Sequence, residues 1–149
     1  MKAIRINTLT KKVFLGAFTL LLLISAESQA KKIRFQTSSV VPAARGYVKV
    51  NKDHNNNFHI KISISDLAEV HRLQPARKTY VVWMVTDQEI SKNIGQLKSS
   101  KSLLSKNLKA SFETVSSFNP IKIFITAEDN ADIQYPETQG VLTTDRFQY

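Results

Sequence analysis

The chain has no cysteine. That excludes a disulfide scaffold, a cysteine nucleophile and any thiolate metal site, so stability has to come from packing. Histidine is almost as scarce: His54, His59 and His71 are the three in the chain, five and twelve residues apart. Metal ligation asks for closer spacing, such as i, i+2 on a strand or i, i+4 on a helix, so these read as exposed side chains. Glycine occurs four times and no serine sits in a G-x-S-x-G elbow, the turn that presents a hydrolase nucleophile. No paired-carboxylate signal of a glycosidase stands out. No apolar run reaches the roughly 20 residues that a membrane span requires. Acidic residues are missing from one long stretch. Between Glu89 and Glu113 there is none, while Lys92, Lys98, Lys101, Lys106 and Lys109 all fall there.

The longest apolar run is Val13 to Ala26, preceded by Lys2, Arg5, Lys11 and Lys12 and followed by Ser28-Gln29-Ala30. A basic start, a short apolar middle and a small-x-small end make a secretory signal peptide the expectation, with cleavage after Ala30, or secondarily after Ala26. The rival reading is a retained anchor. Removing the first 30 of 149 residues leaves 119, one ordinary domain. Four of the 21 basic and one of the 12 acidic residues lie in the removed part, so the net charge of +9 becomes +6. Such a balance suits solubility or contact with anionic surfaces.

Beyond Ala30 the dominant period is two. Phe58-His59-Ile60-Lys61-Ile62-Ser63-Ile64-Ser65 alternates apolar and polar without a break, as a strand with one buried face does. Ile121 to Thr126 is a second β-branched run. Further strands are expected over Ile33–Thr37, Gly46–Val50, Thr79–Thr86, Ile90–Leu97, Leu108–Val115 and Gly140–Thr144. About seven or eight short strands with polar, Pro, Gly or Asn breaks predict an all-β, antiparallel, immunoglobulin-like β-sandwich, a single domain over residues 31–149. Asn51 to Asn57, NKDHNNN, reads as a turn, because Asn and Asp tolerate left-handed backbone; one carboxylate is too few for a calcium cage. Asp87-Gln88-Glu89 is a hairpin candidate. Asp66 is expected to cap one helical turn with Glu69 reaching back, ended by Pro75. Glu128, Asp129 and Asp132 read as a solvated strand-end loop rather than a calcium site. Leu97 to Ala110 stays open between a short amphipathic helix and a loop.

The segment KTYVVWMVTDQEISKNIGQL, Lys78 to Leu97, holds the only tryptophan. On a strand Val81, Trp83 and Val85 share one face, and Tyr80, Val82 and Met84 the other. Two apolar faces mark a central strand, with one face in the core and the other covered by a loop or a partner. Trp83 is therefore expected to anchor the core rather than serve as an aromatic ligand platform. The five lysines Lys92, Lys98, Lys101, Lys106 and Lys109 are the candidate site, an anionic-surface patch, against the plainer reading of a solvated loop. They lack the interleaved aromatics or arginines of a nucleic-acid surface, so no nucleic acid is expected.

Two stretches carry a resemblance. Thr79-Tyr80-Val81-Val82-Trp83 and Thr126-Ala127-Glu128 match the T-Y-V-V-W and T-A-E of a family of exported bacterial β-sandwich domains, Ile94-Gly95-Gln96-Leu97 stands where its L-G-x-L would be, and Pro136, Val141 and Leu142 stand where a Pro precedes its final V-x-L strand. More distantly the chain is similar to the extracytoplasmic region of the anti-sigma-K factor family, which also has a Y-x-x-W strand. Those regulators carry a cytoplasmic sigma-binding part and a membrane span that this sequence lacks, so sigma-factor control is not implied. The closer resemblance implies a sandwich fold and export, and no catalytic residues; AEVHRLQPAR, from Ala68, departs from the family's Pro/Gly-rich turn. The resulting expectation is an exported periplasmic or cell-surface module that is not an enzyme, has no cofactor and no transmembrane span once processed, and binds an envelope protein or an anionic envelope polymer. The alternatives are a hydrolase or other enzyme with a loop-built site, and a structural domain of a larger envelope assembly.

Overall fold

The computed structural model describes residues 30–100 and 109–149. The N-terminal apolar run lies outside the described residues. Nine strands are present among them: β1 (Lys31–Arg34), β2 (Arg45–Lys52), β3 (Phe58–Ser65), β4 (Thr79–Thr86), β5 (Ser91–Gln96), β6 (Lys98–Ser100), β7 (Lys109–Ser116), β8 (Pro120–Glu128) and β9 (Gly140–Thr143). Eight of them answer to the eight runs expected from the sequence. The ninth, β6, begins the Leu97–Ala110 segment, whose residues 101–108, where a helix or a loop was open, lie outside the described residues.

The strands form two antiparallel sheets, ordered β1-β2-β3-β7-β6 and β5-β4-β8-β9. With β2, β3, β7 and β6 in the places A, B, E and D, and β5, β4, β8 and β9 in the places C′, C, F and G, this is the immunoglobulin arrangement with β1 added at one edge. The chain after β1 then leaves its sheet for the other, where Phe35 bridges to Thr144 and the Gln36 amide donates to the Thr143 carbonyl at 2.8 Å. Lys31, Lys32 and Arg34 on β1 keep the free edge charged, which discourages pairing with another chain.

Period-two patterning produces the core. Val48 and Val50 on β2 and Ile60, Ile62 and Ile64 on β3 point inward, against Val82 and Met84 on β4, Ile123 and Ile125 on β8, and Leu142 on β9. Full burial of such a side chain contributes about 1.5–3 kcal/mol. Gly46 permits the close packing of β2 on β3, since a Cβ there would lie 2.7 Å from the Ser63 carbonyl oxygen. The β2–β3 turn is held by Asp53, whose carboxylate accepts from the Asn55 and Asn57 amides at 2.8 Å while Asn56 takes φ 63°.

Asp66 does not cap a helix. It adopts φ 57°, turning the chain out of β3, and the one helical turn is a 3₁₀ element, Val70–Arg72, preceded by Glu69, which makes no side-chain cap bond. Among the described residues no helix is long and apolar enough to cross a membrane.

Trp83 is fully buried but not between the sheets. Its register partner is Phe124, whose ring stacks on it with centroids 6.0 Å apart, and its Nε1 donates to Thr126 Oγ1 at 2.8 Å. Val81, Trp83, Phe124 and Thr126 belong to the outer face of the four-stranded sheet. The β8–β9 connection, residues 129–139, is fastened over that face. Asn93 Nδ2 donates to the carbonyls of Ala131 and Ile133 at 2.7 and 2.9 Å. Glu128, itself fully buried, accepts through Oε1 from the Glu137 amide, the Thr138 amide and the Thr138 hydroxyl. The strand position of Trp83 was legible, and so was the covering of its face. The corrected point is which face it occupies.

Candidate functional site

Inward aliphatics on β2 and β3 force the intervening polar residues outward. On the outer face of the five-stranded sheet the register sets them in three rows. The first row runs Lys32, Lys49, Lys61, Glu113 across β1, β2, β3 and β7. The second runs Arg34, Tyr47, Ser63, Ser111, and the third Arg45, Ser65, Lys109 across β2, β3 and β7. These three rows thus hold six cations, Lys32, Arg34, Arg45, Lys49, Lys61 and Lys109, and one carboxylate, Glu113.

That carboxylate is taken up by Lys61, whose pKa it raises, first by hydrogen bonding and then by its charge. Among the described residues the other five cations have no acidic partner. Lys32 Nζ lies 4.0 Å and Lys49 Nζ 5.8 Å from the centre of the half-buried Tyr47 ring, a pair of cation–π contacts that holds two charges over an aromatic face. Arg45 Nη1 donates to the carbonyls of Pro42 and Ala44 at 2.6 and 2.8 Å, so the guanidinium is held in place with three N–H groups left over. Lys32, Arg34, Arg45, Tyr47, Ser63 and Lys109 contribute to the lining of a shallow recess of about 640 Å³ on this face.

The five lysines singled out from the sequence are dispersed. Lys92 is on β5, in the other sheet, over the Phe118 ring at 4.2 Å. Lys98 is in β6, opposite Ser111, and Lys109 opens β7 and joins the basic face. Lys101 and Lys106 lie outside the described residues. Proximity in sequence was the only signal available for that group. Lys32, Arg34, Arg45, Lys49 and Lys61 went unnoticed because they come from three separate strands. The usable signal was period two combined with the NKDHNNN turn: once β2 and β3 pair through that turn, Lys49 and Lys61 must be neighbours on the polar face.

The remaining recesses offer less chemistry. One of about 160 Å³ gathers Tyr80, Glu69 and His71. The Tyr80 hydroxyl donates to the Ala68 carbonyl at 3.0 Å, and burial pushes its pKa up to about 12, far from the range of an acid or base at neutral pH. A wider groove of about 1280 Å³ runs between β5 and β7 beside Tyr135, lined by Lys92, Glu113 and Asp132 with no histidine. His59 pairs with Asp53 at 3.2 Å and His71 with Glu69 at 3.2 Å, both histidines exposed. Among the described residues no group of three or more His, Asp or Glu is placed to hold a metal ion.

No family model matches the chain, and no curated protein or solved structure matches it either.

Proposed function

We propose that the protein is an exported, non-enzymatic binding module of the bacterial envelope, and that the outer face of its five-stranded sheet holds an anionic macromolecule. The observation that carries this reading is the imbalance of six cations against one carboxylate in the three rows of that face. Support comes from the opposite outer face, which the protein covers with its own 129–139 loop, whereas no described loop is fastened over this one. Export is part of the proposal. It draws on the basic, apolar and small-x-small order of residues 2–30 and on the T-Y-V-V-W and T-A-E resemblance.

Electrostatic binding of this kind weakens with salt, because exposed charges are screened over about 10 Å at 0.1 M. The test is retention of the purified protein on a polyanionic matrix and on its neutral counterpart. Wild type should bind the former and elute as salt rises. Lys32→Ser/Arg34→Ser/Lys49→Ser should elute much earlier, and Lys122→Ser, on β8 of the other sheet, should not. Equal elution of wild type and the triple variant would overturn the assignment of the face.

A further inference from the structure

We infer that the ligand of the basic face is a linear anionic polysaccharide, lying across the strands in the trough floored by Tyr47, Ser63 and Ser111. This rests on the binding reading of the same face and names its substrate class.

The three rows differ in kind, and their order makes a channel. The middle row, Arg34, Tyr47, Ser63 and Ser111, has one aromatic and two of the smallest hydroxyl side chains. The rows on either side carry Lys32, Lys49, Lys61 and Glu113 on one, and Arg45, Ser65 and Lys109 on the other. The short side chains of Ser63, Ser65 and Ser111, with Arg45, Tyr47 and Lys109 around them, leave the recess on this face. Neighbouring strands lie about 4.8 Å apart and alternate residues about 6.8 Å apart along a strand. The floor from Tyr47 to Ser111 is therefore about 10 Å long, with the flanking rows roughly 14 Å apart at their bases.

The chemistry of that floor selects among polyanions. Serine hydroxyls both donate and accept, which matches sugar hydroxyls, themselves donors and acceptors. Tyr47 offers an amphipathic ring edge at the head of the channel, positioned by Lys32. Carboxylates or sulfates along the edges of a saccharide chain then meet the flanking cations, of which Lys61 alone has an acidic partner among the described residues. A single-stranded nucleic acid needs several aromatic platforms for its bases, and the face provides Tyr47 alone. A membrane surface calls for apolar side chains that enter the interface. The exposed large apolar residue on this face is Val115, off the channel beyond Glu113.

The experiment uses the folded chain from Lys31 to Tyr149 and five probes matched in charge where charged: polygalacturonate, neutral dextran, polyphosphate, a single-stranded oligonucleotide, and phosphatidylglycerol vesicles. Wild type is compared with Ser63→Val/Ser111→Val and with Lys32→Ser/Arg34→Ser/Lys49→Ser. Valine suits an exposed strand position, and a thermal melt verifies that each variant folds. The expected result is polygalacturonate bound about tenfold tighter than polyphosphate, a preference that the double valine variant loses while its polyphosphate affinity stays, as removal of two hydrogen-bonding hydroxyls implies. The triple cation variant should lose both. Equal affinity for every polyanion, with no effect of the valines, overturns the polysaccharide inference and leaves the anion-binding face standing. Preference for the oligonucleotide or for the vesicles overturns it in favour of that ligand. Absence of binding to every charged probe overturns both.

Discussion

The outer faces of the two sheets are built on the same pleat and finish in opposite states. On β2 and β3 apolar and polar residues alternate, so the face turned away from the core is Lys49, Tyr47, Arg45, Lys61, Ser63 and Ser65, and it needs no cover. On β4 the run TYVVWMV is apolar on both sides, so the face turned away from the core carries Val81 and Trp83 and does need one. The cover is local in sequence: it is the connection that leaves β8, fastened by Glu128 at its start and by Asn93 from β5. Burial and membership of the core are therefore separable. Trp83 is as buried as Ile62, yet it packs under a loop rather than between sheets. The other face is the one that carries cations without an acidic partner among the described residues.

The largest test of that contrast is Trp83→Ala. Loss of a fully buried indole, its stacking on Phe124 and its bond to Thr126 should cost about 3–5 kcal/mol, read as a lower denaturant midpoint. The fraction that remains folded should still bind polyanion, because Trp83 is in the other sheet. Lys32→Ser/Arg34→Ser/Lys49→Ser should do the reverse, with each exposed substitution within about 0.5 kcal/mol in stability and binding lost. A Trp83→Ala protein with an unchanged midpoint would show that the loop does not enclose the ring.

Glu128→Ala asks what keeps the covered face closed. Its Oε1 collects two backbone amides and one hydroxyl, while Oε2 has no hydrogen-bonding partner among the described residues. Removing the carboxylate leaves the Glu137 and Thr138 amides without their acceptor, at a cost of about 1–3 kcal/mol. Limited proteolysis should then cut within residues 129–139 faster than in wild type. Unchanged cleavage would assign the closure to Asn93 instead.

Much of this architecture was legible before any coordinates. Strict alternation over Phe58–Ser65 defined β3 to its last residue, and TYVVWMVT defined β4, because strand patterning is local. The eight principal strands and the sandwich followed from those runs and the turns between them. What stayed hidden depends on pairing. Which side of β4 meets the other sheet is set by how β4 and β8 are placed against β3, so Trp83 was assigned to the wrong face. The basic face is a product of register between β1, β2, β3 and β7, and a sequence read in order shows Lys32, Lys49, Lys61 and Lys109 as scattered residues. The run from Lys92 to Lys109 looked concentrated for the converse reason, since the chain crosses from one sheet to the other between β5 and β6.

A smaller effect bears on the charge of the open face. Glu113→Gln releases Lys61 from its ion pair and removes the single carboxylate among the three rows. Polyanion affinity at low salt should rise on the order of twofold, as for other exposed pairs, with a steeper fall as salt is added. A weaker interaction in the variant would mean that Glu113 itself contacts the ligand.

The smallest expected effect lies at the tip of the same face and is read by pH. The Asn57 amide, foremost among several donors that include His59 and Asn55, holds the Asp53 carboxyl below its usual value of 3.8, against an opposing push from desolvation. A folded-state pKa below the unfolded one means that the carboxylate supports the turn fully above pH 3.8 and loses that support as pH falls through the lower folded value. The Asn55 and Asn57 amide resonances should therefore show a movement below about pH 4 as the carboxylate is protonated, and Asp53→Asn should abolish it. Both amides are tied to the β2–β3 hairpin that aligns Lys49 with Lys61, so acid should loosen this end of the basic face before the aliphatic layer between the sheets responds. Titration of the two amides at or above 3.8 would show that the turn does not hold the charged form, and that the hairpin register rests on the Ile60, Ile62 and Val48 packing alone.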